Sequence, residues 1–391
     1  MTDFQDRPTD DPGPRLNAEA LRRYQRHLLL PEVGEAGQLA LARSSVLIVG
    51  MGGLGSPAAL YLAAAGVGRL GLVDDDTVDA SNLQRQVLYT DADVGLPKTT
   101  RAARRLARLN ALITIEAHNE RLTSANGARL VGAYDIVLDG SDNFTTRYLL
   151  NDLCVQLDRP LVSGSLHRFD GQVAVYWASK GPCYRCLFPE PPAPGRAPSC
   201  AEAGVLGILP GLVGVMQATE AIKLILGLGR PLIGRLLTVE ALGMNFSEFN
   251  LPKDPACRSC GSGRRFHSAE EVVEAFPPTC STDDAAPDDE IDPRGLMERL
   301  AQSPPPLLVD VREEWEWRTA HIEGARLVPL SELPRRLDEV DATRPVVAIC
   351  HVGERSAVAV RLLQRAGYRA LNLAGGMVAW TAAGGPTVRE D

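Results

Sequence analysis

One stretch, residues 45–76, constrains the fold of this 391-residue chain more than any other. Ser45 to Val49 is an apolar run of strand length that passes directly into Gly50-Met51-Gly52-Gly53-Leu54-Gly55. Pro57 suits the first turn of a following helix and Gly66 its end. A second apolar run, Arg69 to Val73, leads to Asp74-Asp75-Asp76. Strand, glycine turn, helix and strand in that order make a βαβ unit, whose two strands lie parallel. The spacing Gly50-x-Gly52-Gly53-x-Gly55 fits a dinucleotide loop, with Asp74 where a ribose-binding acid is expected. Taken alone, the loop leaves two readings open: a tight turn with no ligand, or an NAD enzyme.

Leu21 to Leu30 is expected to form a short basic helix and Lys98 to Asn110 a helix of mixed charge. Further strands are expected at Ile136 to Asp139, Pro160 to Ser163 and Val173 to Trp177, so the first half is a doubly wound, mostly parallel α/β sheet. Five prolines between Phe188 and Ser199 imply an exposed loop that delivers Cys200. A strongly apolar helix, Leu212 to Leu226, follows and should be buried; strands at Leu236 to Ala241 and Phe246 to Leu251 come before Cys257 and Cys260. Residues 263–288 then lose periodicity, with five acids between Asp283 and Glu290 and no base, which marks a linker between a domain at 1–262 and a second at 289–391. In the second domain, strands are expected at Leu307 to Val311 and Val346 to Cys350, with a helix from Glu332 to Val340.

A net charge of -8 argues against a nucleic-acid partner, which would favour a basic face. The apolar stretch Ala203 to Met216 is interrupted by Pro210 and glycines and is too short to span a bilayer, and the polar, proline-rich start lacks the basic and apolar segments of a signal peptide. A cytoplasmic protein is expected. Eight cysteines, four of them in C-x-x-C pairs, fit metal binding and catalysis in a reducing compartment better than disulfides.

The company kept by the glycine loop narrows its meaning. Ser81-Asn82-Leu83-Gln84-Arg85-Gln86, then Gly95-Leu96-Pro97-Lys98, then Asp139-Gly140-Ser141-Asp142-Asn143 occur in the order and spacing of the ThiF/MoeB adenylating family, which includes the ubiquitin-activating enzymes, and the chain resembles that family over about residues 16–262. The resemblance implies a Rossmann-like adenylating domain that uses ATP to adenylate the C-terminal carboxylate of a ubiquitin-like carrier protein ending in Gly-Gly. It places the nucleotide on Gly50, Gly52, Gly53, Gly55, Asp74, Asp76, Ser81, Asn82, Arg85, Lys98, Asp142 and Asn143. Within that set Arg85 and Lys98 match phosphate contacts and Asp142 a Mg²⁺ ligand. Carboxylate attack on the α-phosphate brings two negative charges together, so cations must offset the repulsion. Arg26 matches an arginine that reaches the other subunit's nucleotide, which implies a homodimer.

Cys183-Tyr184-Arg185-Cys186 and Cys257-Arg258-Ser259-Cys260 supply four thiolates suited to a closed, structural Zn²⁺ site. Redox pairs or buried thiols are the alternative. Cys200, in Ser199-Cys200-Ala201-Glu202-Ala203-Gly204, matches a crossover-loop cysteine that forms a thioester with the carrier in some relatives and is dispensable in others. Cys154 lies in an apolar helical run and is expected in the core, while Cys280 falls in the linker.

Cys350-His351-Val352-Gly353-Glu354-Arg355-Ser356 joins the apolar strand Val346 to Ile349 to a helical run, Ala357 to Ala366. A cysteine among the free N–H groups of a helix start, beside Arg355, should be reactive as its thiolate. With Leu308-Val309-Asp310-Val311-Arg312, His321-Ile322-Glu323-Gly324-Ala325 and Gly375-Gly376-Met377, this loop makes the second domain resemble a smaller α/β rhodanese over about residues 289–386. Phosphatases of the same fold also use a cysteine and an arginine, but Cys350 and Arg355 enclose four residues, one fewer than in the phosphatase loop, which suits a persulfide better than a phosphate. The resemblance makes Cys350 a sulfane-sulfur carrier, with the loop N–H groups and Arg355 stabilising the anion, and makes Asp310, Arg312 and His321 structural.

Joined, the halves resemble MoeB–rhodanese fusions. They imply adenylation of a ubiquitin-like sulfur carrier, then conversion of the acyl adenylate to a thiocarboxylate by sulfur from Cys350, which is charged by a cysteine desulfurase or thiosulfate. The carriers in view serve molybdenum-cofactor, cysteine, thiamin or tRNA-thiolation pathways. Protein conjugation through a Cys200 thioester is the rival reaction. An NAD-dependent oxidoreductase and a non-catalytic binding module are further alternatives.

Overall fold

The computed structural model describes residues 15–191, 204–262, 264 and 289–389. Those up to 264 belong to one compact unit and those from 289 to a second.

The larger unit is built on eight strands: β1 (Ser45–Val49), β2 (Arg69–Val73), β3 (Thr114–His118), β4 (Ile136–Asp139), β5 (Leu161–His167), β6 (Asp170–Tyr176), β7 (Arg235–Glu240) and β8 (Asn245–Asn250). They lie in the order β3-β2-β1-β4-β5-β6-β7-β8, parallel from β3 to β5 and antiparallel from β5 to β8. Every residue of β1 is buried, and its side chains alternate between two cores as a strand's period of two requires. Val46 and Ile48 join Leu62, Leu106 and Val213 on one face, while Leu47 and Val49 join Leu130, Leu150 and Leu153 on the other. Cys154 belongs to this second core, as its apolar setting predicts, and burial pushes its thiol up.

The strand order reverses between β1 and β4. In an α/β sheet the crevice outside the carboxyl ends at such a reversal is where ligands bind. Register makes the crevice concrete: Val49 pairs with both Val73 and Asp139, so the turns beginning at Gly50, Asp74 and Gly140 leave the sheet side by side.

Helix Leu209–Leu226 has 18 residues and is apolar enough, by length and composition, to cross a membrane, but 56% of it is buried inside the fold. It begins three residues earlier than the sequence suggests, because Pro210 sits in its first turn, where no N–H is needed. Leu209, Val213, Ala221 and Ile225 pack into the first core. Gln217 on the same helix donates to the carbonyls of Asp139 at 2.7 Å and Val162 at 3.2 Å, tying the helix to β4 and β5.

The smaller unit has β9 (Glu290–Ile291), β10 (Leu307–Asp310), β11 (Arg326–Leu327), β12 (Val346–Ile349) and β13 (Ala370–Leu373) in the order β11-β10-β12-β13-β9, all parallel. Central β12 is wholly buried and leads straight into Cys350, with helix Glu354–Arg365 beyond.

Local sequence misleads in three places. The expected helix from Glu332 to Val340 is two 3-10 turns, Leu333–Arg335 and Leu337–Glu339, because the backbone at Arg336 leaves the helical region just after Pro334. The segment from 21 to 30 is two short helices, Ala18–Arg23 and Gln25–Leu28, separated at buried Tyr24. Strand β3 was not expected; its Thr-Ile-Glu-Ala-His is an edge strand, largely accessible and without a clean apolar alternation.

Gly214 and Gly211 lie one turn apart on Leu209–Leu226 and test its packing. A Cβ on Gly214 would stand 2.4 Å from the Leu54 carbonyl oxygen, whereas one on Gly211 would meet nothing within 4 Å. Gly214→Val should destabilise the larger unit by about 1–3 kcal/mol. Gly211→Ala should be neutral or stabilising by up to about 1 kcal/mol. Urea unfolding midpoints of the two variants check the contrast.

Candidate active site

The crevice between β1 and β4 is made possible by backbone that no side chain obstructs. Gly50 has φ of 90°, and a Cβ there would lie 2.6 Å from the Gly140 carbonyl oxygen. A Cβ on Gly55 would lie 1.9 Å from the Gly50 carbonyl oxygen, so only glycine closes this turn into the helix Gly55–Ala65. The pocket that results brings together Gly50, Gly52, Gly53, Asp74, Asp76, Arg85, Lys98, Asp142 and Asn143. Gly55, Ser81, Asn82 and Arg26 do not line it. Gly55 shapes the turn; Ser81 bonds Asp79, and Asn82 approaches the Ser81 hydroxyl at 3.4 Å. Arg26 is exposed on the short helix Gln25–Leu28.

The charges in the pocket are arranged unequally. Asp74 accepts the N–H of Met51 at 2.7 Å and of Asp76 at 2.8 Å. Burial raises its carboxyl above the usual range, with Lys98 the strongest opposing influence. Lys98 is itself buried, and its Nζ lies 2.8 Å from Asp76 Oδ2. Arg85 donates to the Ser81 carbonyl at 3.0 Å. Asn143 caps helix Phe144–Gln156 by accepting the Thr146 N–H at 2.8 Å. Asp142 is exposed beside it, and no hydrogen bond or ion pair to its carboxylate forms among the described residues.

Three contributors carried no assignment from sequence. Asp139, fully buried at the end of β4, accepts from Ser141 N–H at 3.0 Å and from Arg147 Nε at 3.1 Å. Arg147 also donates to the carbonyls of Ser141 at 3.0 Å and Gly164 at 3.1 Å, so one guanidinium braces the pocket wall. A basic residue one turn beyond the Asn143 cap was the available signal. Gln86, buried and on the pocket wall, leaves its Oε1 without a partner among the described residues. A stranded acceptor and a wall of glycine backbone both fit a ligand with hydroxyl or amino donors and phosphates.

The four expected metal-ligating cysteines converge. Their sulfurs lie within 4.8 Å of one another, with Cys183–Cys186 at 3.9 Å, Cys183–Cys257 at 3.6 Å and Cys186–Cys260 at 3.4 Å. Tetrahedral zinc with bonds of about 2.3 Å needs sulfurs about 3.8 Å apart, so the donor set fits. Hydrogen bonding to Cys183, then to Cys260, pulls the Cys186 thiol down to about 2, while the bond to Cys186 heads the causes that push Cys183 up. Four thiolates this close would repel one another, and a bound cation would offset that repulsion. Fully buried Asp152 fastens both pairs to the fold: it receives Arg185 Nη2 at 2.7 Å and the Ser259 hydroxyl at 2.8 Å. This brace was not foreseen from sequence.

In the smaller unit, Cys350 is 1% exposed at the base of its loop. Its sulfur accepts the Gly353 N–H at 3.1 Å and the Ser356 hydroxyl at 3.2 Å. Gly353 holds φ of 101°, which turns that N–H inward. The Cys350 carbonyl accepts the Met377 N–H at 2.8 Å, pinning the loop to helix Gly376–Ala382. Arg355 gives both terminal nitrogens to Glu316, at 2.6 and 2.7 Å, and among the described residues no hydrogen bond joins it to the sulfur, although its charge lies within electrostatic reach of Cys350. Asp310 and Arg312 form a buried pair at 2.7 Å, and His321 stacks on Trp317 with centroids 3.6 Å apart. Both arrangements are structural. Cys200 and Cys280 lie outside the described residues.

Comparison with known proteins follows the same division. The ThiF family matches residues 24–259 and the rhodanese-like domain family residues 293–383. The chain is 44% identical over 384 residues to a Mycobacterium tuberculosis protein named probable adenylyltransferase/sulfurtransferase MoeZ, covering 95% of this chain and 96% of that one. It is 53% identical over 252 residues to the sulfur carrier protein adenylyltransferase of Thermus thermophilus, covering 63% of this chain and 93% of that one. Adenylyltransferase and sulfurtransferase MOCS3-1 of Zea mays is 40% identical, with 94% and 83% covered. Among solved structures, Escherichia coli MccB with MccA-N7isoASN superposes with a TM-score of 0.56 at 23% identity, over 61% of this chain and 75% of that one, and shares the fold alone.

Proposed function

Because the chain belongs to the ThiF family and carries a C-terminal rhodanese-like domain, we propose that it adenylates the C-terminal glycine of a ubiquitin-like sulfur-carrier protein and then converts the product to a thiocarboxylate. The observation that carries this reading is the coexistence, in one chain, of a glycine-walled crevice at the β1/β4 reversal and a buried cysteine cradled by loop donors. A carrier carboxylate oxygen attacks the α-phosphorus of ATP, a P–O bond forms and pyrophosphate leaves. Glycine backbone at 50–55 admits the nucleotide, Asp74 takes the ribose hydroxyls, and Arg85 with Lys98 offsets the phosphate charge. Asp142 would hold Mg²⁺, which neutralises phosphate oxygens when bound. Asp76, Ser81, Asn82 and Asn143 support that wall, and exposed Arg26 is assigned to the nucleotide of a second subunit in a homodimer.

Cys350 receives a sulfane sulfur from a protein persulfide or thiosulfate. The terminal sulfur of that persulfide attacks the activated carbonyl, a C–S bond forms and AMP leaves, giving an acyl disulfide. A second thiol, for which Cys200 is our candidate, attacks the Cys350 sulfur and releases the thiocarboxylate; an external thiol then reduces the resulting disulfide. The rival reading, conjugation through a Cys200 thioester, leaves Cys350 without a task. Carriers of the molybdenum-cofactor, cysteine, thiamin and tRNA-thiolation pathways all present the required chemistry. The six described cysteines are free thiols, in keeping with a cytoplasmic setting.

Asp142 is exposed and unpaired among the described residues, so its loss should report chemistry rather than folding. Asp142→Ala should lower carrier-dependent ATP–pyrophosphate exchange by about 10²-fold or more and leave thiosulfate sulfurtransferase activity at the wild-type level. Exchange at the wild-type rate would contradict the assignment.

The four-cysteine site should hold one zinc per chain. Cys257→Ala should lose that metal by elemental analysis and lower the melting temperature of the larger unit. A fully folded wild-type preparation without metal, purified under reducing conditions, would rule the site out.

A further inference from the structure

Arg355 stands in the first turn of the helix beyond the Cys350 loop, within electrostatic reach of the sulfur, yet both its terminal nitrogens are paired elsewhere. Nη1 donates to Glu316 Oε2 at 2.6 Å and Nη2 to Glu316 Oε1 at 2.7 Å, a fork meeting a fork. The two side chains are 18% and 10% exposed, so water screens the pair little. Glu316 cannot swing away freely, because Oε2 also accepts the Glu313 N–H at 3.0 Å and closes the first turn of helix Glu314–Thr319. Burial would raise the Glu316 carboxyl, but Arg355 and the Glu313 N–H hold it below the usual range, so it is charged at neutral pH. Arg312 is spent in the same way on Asp310. Among the described residues, the hydrogen-bond donors to the Cys350 sulfur are therefore neutral: the Gly353 N–H and the Ser356 hydroxyl.

We propose that Glu316 is a specificity-determining residue that masks Arg355, turning the Cys350 loop away from small dianionic donors such as thiosulfate and toward persulfides presented on a thiol. The inference rests on the reading of Cys350 as the sulfur carrier. In the transfer, the Cys350 thiol gives its proton to solvent and the thiolate attacks the outer sulfur of the donor. The Cys350 S–S bond forms, the donor's S–S bond breaks, and the electron pair leaves on sulfite from thiosulfate or on a thiolate from a thiol persulfide. A masked guanidinium still leaves room for the single charge of a persulfide, whereas a dianion entering a buried loop needs a free cation.

Glu316→Gln removes the charge and keeps an oxygen for the Glu313 N–H. In the full-length protein, the KM for thiosulfate should fall about tenfold or more, with kcat changed by less than about threefold. Benzenethiosulfonate, which carries one charge, should gain only about the square root of that factor. Arg355→Gln, the complementary variant, leaves Glu316 unmasked and should raise the thiosulfate KM by about tenfold or more, again by more than for the monoanion. Equal shifts for the two donors, or an unchanged ratio of their KM values in both variants, would overturn the role of Glu316. Sulfur transfer that persists in Cys350→Ala would instead overturn the assignment of Cys350 itself.

Discussion

The contact on which the larger unit depends is backbone against backbone at the carboxyl ends of β1 and β4. The Gly50 carbonyl oxygen sits where a Cβ of Gly55 would stand, and the Gly140 carbonyl presses on Gly50. Because Val49 is in register with Val73 and Asp139, these turns emerge together with Asp74. Any side chain at the contact would separate the strands' exits and close the crevice. The pocket thus follows from strand order plus three absent Cβ atoms, and the polar residues around it are secondary fittings.

Much of this was legible in the sequence, because the relevant signals are local. Apolar runs bounded by glycine mark β1, β2 and β4 to the residue, and Gly66 stops its helix in the left-handed conformation expected of it. The C-x-x-C spacing anticipates the sulfur tetrad, although its two halves are separated by 70 residues between Cys186 and Cys257. What sequence could not reveal is pairing across the chain. Asp152 on Arg185 and Ser259, and Glu316 on Arg355, join residues whose proximity only the folded sheets create. Edge strand β3 and the broken helix after Pro334 were missed for the opposite reason, since tertiary packing there overrides a weak or misleading local pattern.

Both halves share one electrostatic habit. One cation expected at each reacting group is already held by a carboxylate, Lys98 by Asp76 and Arg355 by Glu316. An unpaired cation in a buried pocket is costly, so pairing keeps the charge in place until an anionic substrate competes for it. In the adenylating unit, a polyanion such as a nucleotide triphosphate is a strong competitor. In the rhodanese-like unit the partner is fixed by a helix cap as well, and the pair resists exchange.

The central claim is that activation and sulfur delivery are separate chemistries joined in one chain, the second passing through Cys350. Incubating Cys350→Ala with a carrier ending in Gly-Gly, ATP and a sulfane-sulfur donor tests it most directly, with labelled pyrophosphate exchange and the intact mass of the carrier read in parallel. Exchange at the wild-type rate without thiocarboxylate, and partial recovery of thiocarboxylate when inorganic sulfide is added, is the predicted result. Thiocarboxylate formed from the sulfane donor at the wild-type rate would contradict the account.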